Sequence, residues 1–118
     1  MESVTELLQS LIRIPSVNPD GDPGTDQCGE KEIAEWLGNF LGDRGFAITT
    51  EEVEPGRPNL IARSPGPSSD TRPRILLGPH LDTVGVGGMT IDPFAGESRD
   101  GKIWGRGASD TKGPMASM

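Results

Sequence analysis

Cysteine and histidine are almost absent from this chain: Cys28 and His80 are the only residues of their types. A single cysteine excludes an intramolecular disulfide and makes a reducing compartment the natural expectation. It also makes a poor nucleophile, since its neighbours Gln27 and Gly29 provide no activating base, so a small buried or half-buried role is expected. One histidine is equally limiting. It can supply only one imidazole to any metal ion, and an ion such as zinc wants about four donors.

Basic clusters and long apolar runs are missing as well. With a formal charge of -7, the chain lacks the Lys/Arg surface that phosphate recognition needs, which disfavours nucleic acid or an anionic membrane as partner. No apolar run is long enough to cross a bilayer, and Glu2 and Glu6 stand where a secretory signal would be basic. A soluble, cytoplasmic protein is expected. Hydrophobic residues make up only 32%, while 17 Gly and 11 Pro supply turns. That fraction is below the ~45–50% of ordinary globular chains, so the core is thin for a single domain over residues 1–118.

What is present is ordered punctuation. Ser3-x-x-Glu6 has the form of a capping box, and Val4, Leu7, Leu8, Leu11 and Ile12 follow at helical spacing until Pro15. After the turn-rich stretch 18–24, Ile33, Trp36, Leu37, Phe40 and Leu41 mark one face of a second helix, closed by Gly42 or Gly45 and expected to pack on a sheet. Residues 46–53 and 59–62 read as strands, 64–73 as a polar Pro/Ser loop, and 74–78 as a short buried strand. Asp100-Gly101 is the strongest hairpin signal, pairing 94–99 with 102–104. A helix begins at Lys112. This order predicts an α/β sandwich with a mixed sheet.

The chemistry gathers at two places. Ile75-Leu76-Leu77-Gly78-Pro79 leads into His80-Leu81-Asp82, and alternation along a strand would project His80 and Asp82 to one side from its end. One could then bind metal while the other holds the imidazole in place. Further on comes Gly105-Arg106-Gly107-Ala108-Ser109-Asp110-Thr111-Lys112-Gly113. Competing readings are weaker: the dinucleotide fingerprint has Asp110 in place of its third glycine, and the phosphate-loop spacing before Lys112 is absent. Asp92 and Asp100 are turn formers. Taken alone, a histidine after a strand is more often structural than a ligand, which keeps open a non-catalytic α/β binding or interaction module in which His80 and Asp110 are structural.

Together these phrases resemble the dinuclear zinc deacylases and exopeptidases that include acetylornithine deacetylase, succinyl-diaminopimelate desuccinylase, aminoacylase and glutamate carboxypeptidase. Leu77-Gly78-Pro79-His80-Leu81-Asp82-Thr83-Val84 is similar to the first metal motif of that family, Asp92-Pro93-Phe94 recurs at the expected place, and residues 101–113 are similar to the second motif. Ile14-Pro15-Ser16-Val17-Asn18-Pro19 and Arg57-Pro58-Asn59-Leu60 extend the likeness to the N-terminus. Departures are small: Trp104 stands where Tyr is commoner, and Pro79 precedes the histidine.

The resemblance implies that this is the N-terminal part of a three-layer α/β/α catalytic domain with a mixed sheet. His80 would ligate one zinc, the catalytic-site residue Asp82 would orient the His80 ring, and Asp110 would bridge two zinc ions, with cobalt a possible substitute. A cis peptide between Asp110 and Thr111 is implied too. The complete enzyme would use metal-activated water to remove an acyl group from an N-acyl amino acid or to cleave a small peptide, and would be a homodimer. In such enzymes a Glu-Glu pair, a further acidic ligand, a second histidine and a lid domain all follow, so residues 1–118 alone are expected to be inactive.

Overall fold

The computed structural model describes residues 3–66, 71 and 73–118. Helix α1 (Val4–Ile12) starts at the capping box expected from sequence: Glu6 N donates to Ser3 Oγ at 3.2 Å and Ser3 N donates to Glu6 Oε2 at 2.7 Å. The two bonds satisfy N-terminal amides that a helix cannot satisfy itself. Its C-terminal residues Leu11 and Ile12 are fully buried.

Helix α2 (Lys31–Gly42) buries Ile33, Ala34 and Leu37, and stacks Trp36 on Phe40 at 5.2 Å along its flank. It lies on the hairpin of β1 (Ala47–Glu54) and β2 (Arg57–Arg63), whose Leu60 packs against the core. A forked ion pair fastens the helix start to the hairpin, with Arg57 Nη2 at 2.8 Å and Nε at 3.0 Å from the two oxygens of Glu30. Two parallel N–H bonds to one carboxylate fix orientation as well as distance.

The second hairpin, β3 (Glu97–Arg99) with β4 (Lys102–Trp104), turns through Asp100 at φ 54° and Gly101 at φ 70°. Two successive positive φ values are what the Asp-Gly pair supplies. The first arm is shorter than expected, since residues 94–96 do not pair. Helix α3 (Lys112–Ser117) packs on α1 and contributes Met115 and Ala116 to the core.

Two expectations need correction. Residues 74–78 form no strand, and Ile75 and Leu76 are 87% and 93% exposed. A strand needs a hydrogen-bonding neighbour, but β1 and β2 pair with each other, and no strand among the described residues lies beside this run. For the same reason there is no mixed sheet among them: the α/β fold contains two separate antiparallel pairs. Of the polar loop at 64–73, residues 67–70 and 72 lie outside the described residues.

The segment Ser16-Val17-Asn18 does what the missing strand pairing does not. Val17 makes parallel bridges to both Cys28 and Thr83. Thr83 N donates to Ser16 O at 2.9 Å and Asn18 N donates to Thr83 O at 2.8 Å, while Ser16 Oγ donates to Leu81 O at 2.8 Å. Residues 81–83 are thereby held although the run before them is not.

Candidate metal centre

The structure brings His80, Asp82 and Asp110 together. His80 Nε2 is 2.9 Å from Asp110 Oδ1, and Nδ1 lies 2.9 Å from the Asp82 carbonyl oxygen and 3.1 Å from Asp82 Oδ1. Every one of those oxygens is an acceptor, so a ring protonated on both nitrogens satisfies them best. The hydrogen bond to Asp110 accordingly raises the His80 pKa above its ordinary value; partial burial opposes this, and Asp82 adds to the rise. Asp82 is steadied from its other side, where Asn18 Nδ2 donates to Oδ2 at 3.0 Å.

Asp110 comes from the opposite direction, on the loop between β4 and α3. Gly107 sits there at φ 82°, and a Cβ on it would meet Thr83 Cγ2 at 2.8 Å. Gly105 leaves no room for a Cβ either, because Ile12 Cγ2 occupies that space. Only glycine lets this loop press onto α1 and residue 83 at once. The Asp110–Thr111 peptide is cis, as the resemblance implied.

Lys112 anchors the same loop. Although a lysine, it is 1% exposed, and Nζ donates to Leu11 O at 2.9 Å and Ile14 O at 2.7 Å. Leu11 is in the last turn of α1 and Ile14 lies two residues past its end, where carbonyl acceptors and the helix dipole favour a cation. Burial pulls the Lys112 pKa down to about 8.

A metal was tested against these donors. An imidazole and two carboxylates suit zinc, and His80 Nε2 and Asp110 Oδ1 are 2.9 Å apart, within the ~4 Å that two atoms each ~2.0–2.1 Å from one zinc can span. The Nε2 proton is what an ion would replace. Asp82 behind Nδ1 is the usual support of a ligating histidine. The set fits but is incomplete, since no group of three or more His, Cys, Asp or Glu able to hold a metal occurs among the described residues.

The family profile of Peptidase family M20/M25/M40 matches residues 76–118, the stretch that carries all three side chains. Over these residues the chain resembles that family. It is 34% identical over 118 residues to the acetylornithine deacetylase of Vibrio campbellii, a match that covers 98% of this chain and 30% of that protein. It is 35% identical over 123 residues to the succinyl-diaminopimelate desuccinylase of Methylobacterium radiotolerans, covering 99% and 28%. A third relative, the N-formyl-4-amino-5-aminomethyl-2-methylpyrimidine deformylase of Bacillus subtilis, is 31% identical over 120 residues, covering 99% and 28%. The chain thus spans less than a third of the length of these M20-type relatives.

Sequence reasoning missed Asn18, Ser16 and Lys112. Asn18 was read as turn chemistry, and it does accept from Asp20 N at 2.9 Å through Oδ1; its amide nitrogen, bonding Asp82 across 64 positions, left no local signal. Lys112 carried one: a lysine opening an apolar helix face, at a position the helix period assigns to the interior. Asp92 and Asp100 are turn formers as expected, Asp92 accepting from Phe94 N at 2.9 Å. Cys28 is half-buried and donates weakly to Thr25 O. Among the described residues no helix is long and apolar enough to cross a membrane.

Proposed function

We propose that these residues supply the metal side of a two-metal amide hydrolase acting on an N-acyl amino acid or a small peptide. The observation that carries this reading is the 2.9 Å approach of His80 Nε2 to Asp110 Oδ1 across 30 residues, inside the stretch matched to the M20 family. His80 offers Nε2 as a ligand while Asp82 accepts the Nδ1 proton and keeps the ring turned toward Asp110. Asp110 has two oxygens, one for each ion of a pair. Metal ions held there supply Lewis-acid polarisation of the amide carbonyl and acidification of water.

The remaining parts of the reading go with it. The ions are zinc, for which cobalt can substitute, and the protein is a cytoplasmic homodimer whose catalytic domain has three α/β/α layers. The general base and the other ligands come from sequence beyond these 118 residues, so the chain alone is inactive. The names of the deacylating relatives support this reading over a non-catalytic module.

The test is hydrolysis of N-acetyl and N-succinyl amino acids by a polypeptide of the relatives' length that begins with this segment. Zinc-dependent turnover that a chelator removes is expected, with a loss of more than ~100-fold in His80→Ala and Asp110→Ala. Full activity in both variants favours the non-catalytic reading of His80 and Asp110.

A further inference from the structure

Asp110 is placed by its loop rather than by packing of its side chain, which is 87% exposed and meets His80 at 2.9 Å. Residues 107–113 therefore carry the task. Lys112 N donates to Gly107 O at 2.9 Å and closes the loop at its base. The Lys112 stem lies along Gly107, where a Cβ would meet Lys112 Cδ at 3.2 Å, and Ala108 O fills the space that a Cβ on Gly113 would need. Glycine at both positions lets the loop close this tightly.

Closing the loop does not by itself set its distance from His80. The Lys112 ammonium does so, since Nζ donates to Leu11 O at 2.9 Å and to Ile14 O at 2.7 Å. From Ser16 onward the same stretch takes up the other half of the site: Ser16 Oγ donates to Leu81 O at 2.8 Å, Thr83 N donates to Ser16 O at 2.9 Å, and Asn18 Nδ2 donates to Asp82 Oδ2 at 3.0 Å. Leu11, Ile12, Ser16 and Val17 are fully buried, so this stretch has little room to shift. A methionine would fill the Lys112 position without the cost of desolvating an ammonium. What the lysine adds is two directed, charge-assisted bonds.

We infer that Lys112 is a positioning residue: its hold on Leu11 and Ile14 sets Asp110 opposite His80, so that both donors of the candidate metal centre hang from residues 11–18. The ammonium, engaged by two carbonyls, is not itself a ligand. Its effect passes through the backbone of residues 107–111 to Asp110, while Ser16 and Asn18 act likewise on residues 81–83. The inference deepens the proposed function, on which it rests for Asp110 being a metal donor. It differs from a purely structural role in what it requires: loss of the ammonium must displace Asp110, and not only loosen the fold.

The test compares Lys112→Met with Ile33→Val in the 118-residue chain. Ile33 is fully buried on α2, so its shortening also costs stability but leaves the loop untouched. Two readings are taken: the His80 ring resonances of the metal-free chain, which report whether Asp110 stands at Nε2, and zinc affinity by calorimetry. Lys112→Met is expected to move the ring resonances toward their values in Asp110→Ala and to weaken zinc binding ~10–100-fold, the scale of a lost support behind a metal ligand. Ile33→Val should change neither. If Lys112→Met does not fold, Lys112→Gln and the unaltered chain carry the decision, because coupling is reciprocal and zinc must then slow hydrogen exchange of the Lys112 ammonium. Parent-like ring resonances or undiminished zinc affinity in a folded Lys112→Met, equal changes in Ile33→Val, or ammonium exchange indifferent to bound zinc overturns the inference. The two readings separate it from the proposed function. A parent chain that takes no zinc at His80 refutes the metal centre while the ring resonances still decide Lys112, and a folded Lys112→Met that keeps the parent's affinity refutes the inference while the metal centre stands.

Discussion

Asn18 holds Asp82 from behind, its Nδ2 donating to Oδ2 at 3.0 Å while Oδ1 faces the His80 ring at 3.1 Å. The carboxylate is therefore clamped on one oxygen and used on the other. Asp82→Asn is expected to weaken zinc binding or activity of the complete enzyme ~10–100-fold without unfolding it, the usual effect of removing the support of a ligating histidine. Asn18→Ala should act in the same direction and less strongly. Unchanged metal affinity in Asp82→Asn would reject the orienting role.

The His80 pair gives the metal-free chain a pH signature. Its folded pKa is raised, first by the hydrogen bond to Asp110, so the folded state holds the proton more tightly than the unfolded state. The stabilisation is fully present below the unfolded value of ~6.5 and is lost as pH rises through the higher folded value. Urea midpoints should fall across that window, and Asp110→Asn should flatten the fall. A His80 ring titration at or below ~6.5 in the folded chain would contradict this.

Lys112 has a different window. Burial sets its folded pKa at about 8 against 10.5, so the unfolded chain keeps this proton longer. Stability should therefore rise with pH between those values. Lys112→Met should abolish that rise and, by leaving the Ile14 carbonyl without its donor while Leu11 O keeps only the bond from Ile14 N, destabilise the chain by about 1–3 kcal/mol in urea unfolding. A variant as stable as the parent would mean that water replaces the ammonium at the end of α1.

Much of this was legible because the signals are local. The Ser3–Glu6 box, the helical spacing through Ile12 and from Ile33 to Leu41, and the Asp100-Gly101 turn each contain their cause within a few residues, and the structure has each of them. The run 75–77 was misread for the converse reason: its composition favours a strand, but pairing depends on a neighbour that composition does not reveal. His80 and Asp82 meet without that strand, because Ser16, Val17 and Asn18 hold residues 81–83. Their meeting with Asp110 was legible from motif wording, whereas the Asn18 and Lys112 contacts, spanning 64 and about 100 positions, were not.

The central claim is that His80 and Asp110 are donors to one metal site. Zinc titration calorimetry on the 118-residue chain, with His80→Ala and Asp110→Ala alongside, tests it most directly. Weak binding that both substitutions abolish, accompanied by proton release from the His80 ring and no hydrolysis of acetyl-amino acids, is the expected result. Binding unchanged in either variant would contradict the claim, and two tightly held zinc ions or chelator-sensitive turnover by this chain alone would show that it commands donors beyond this pair.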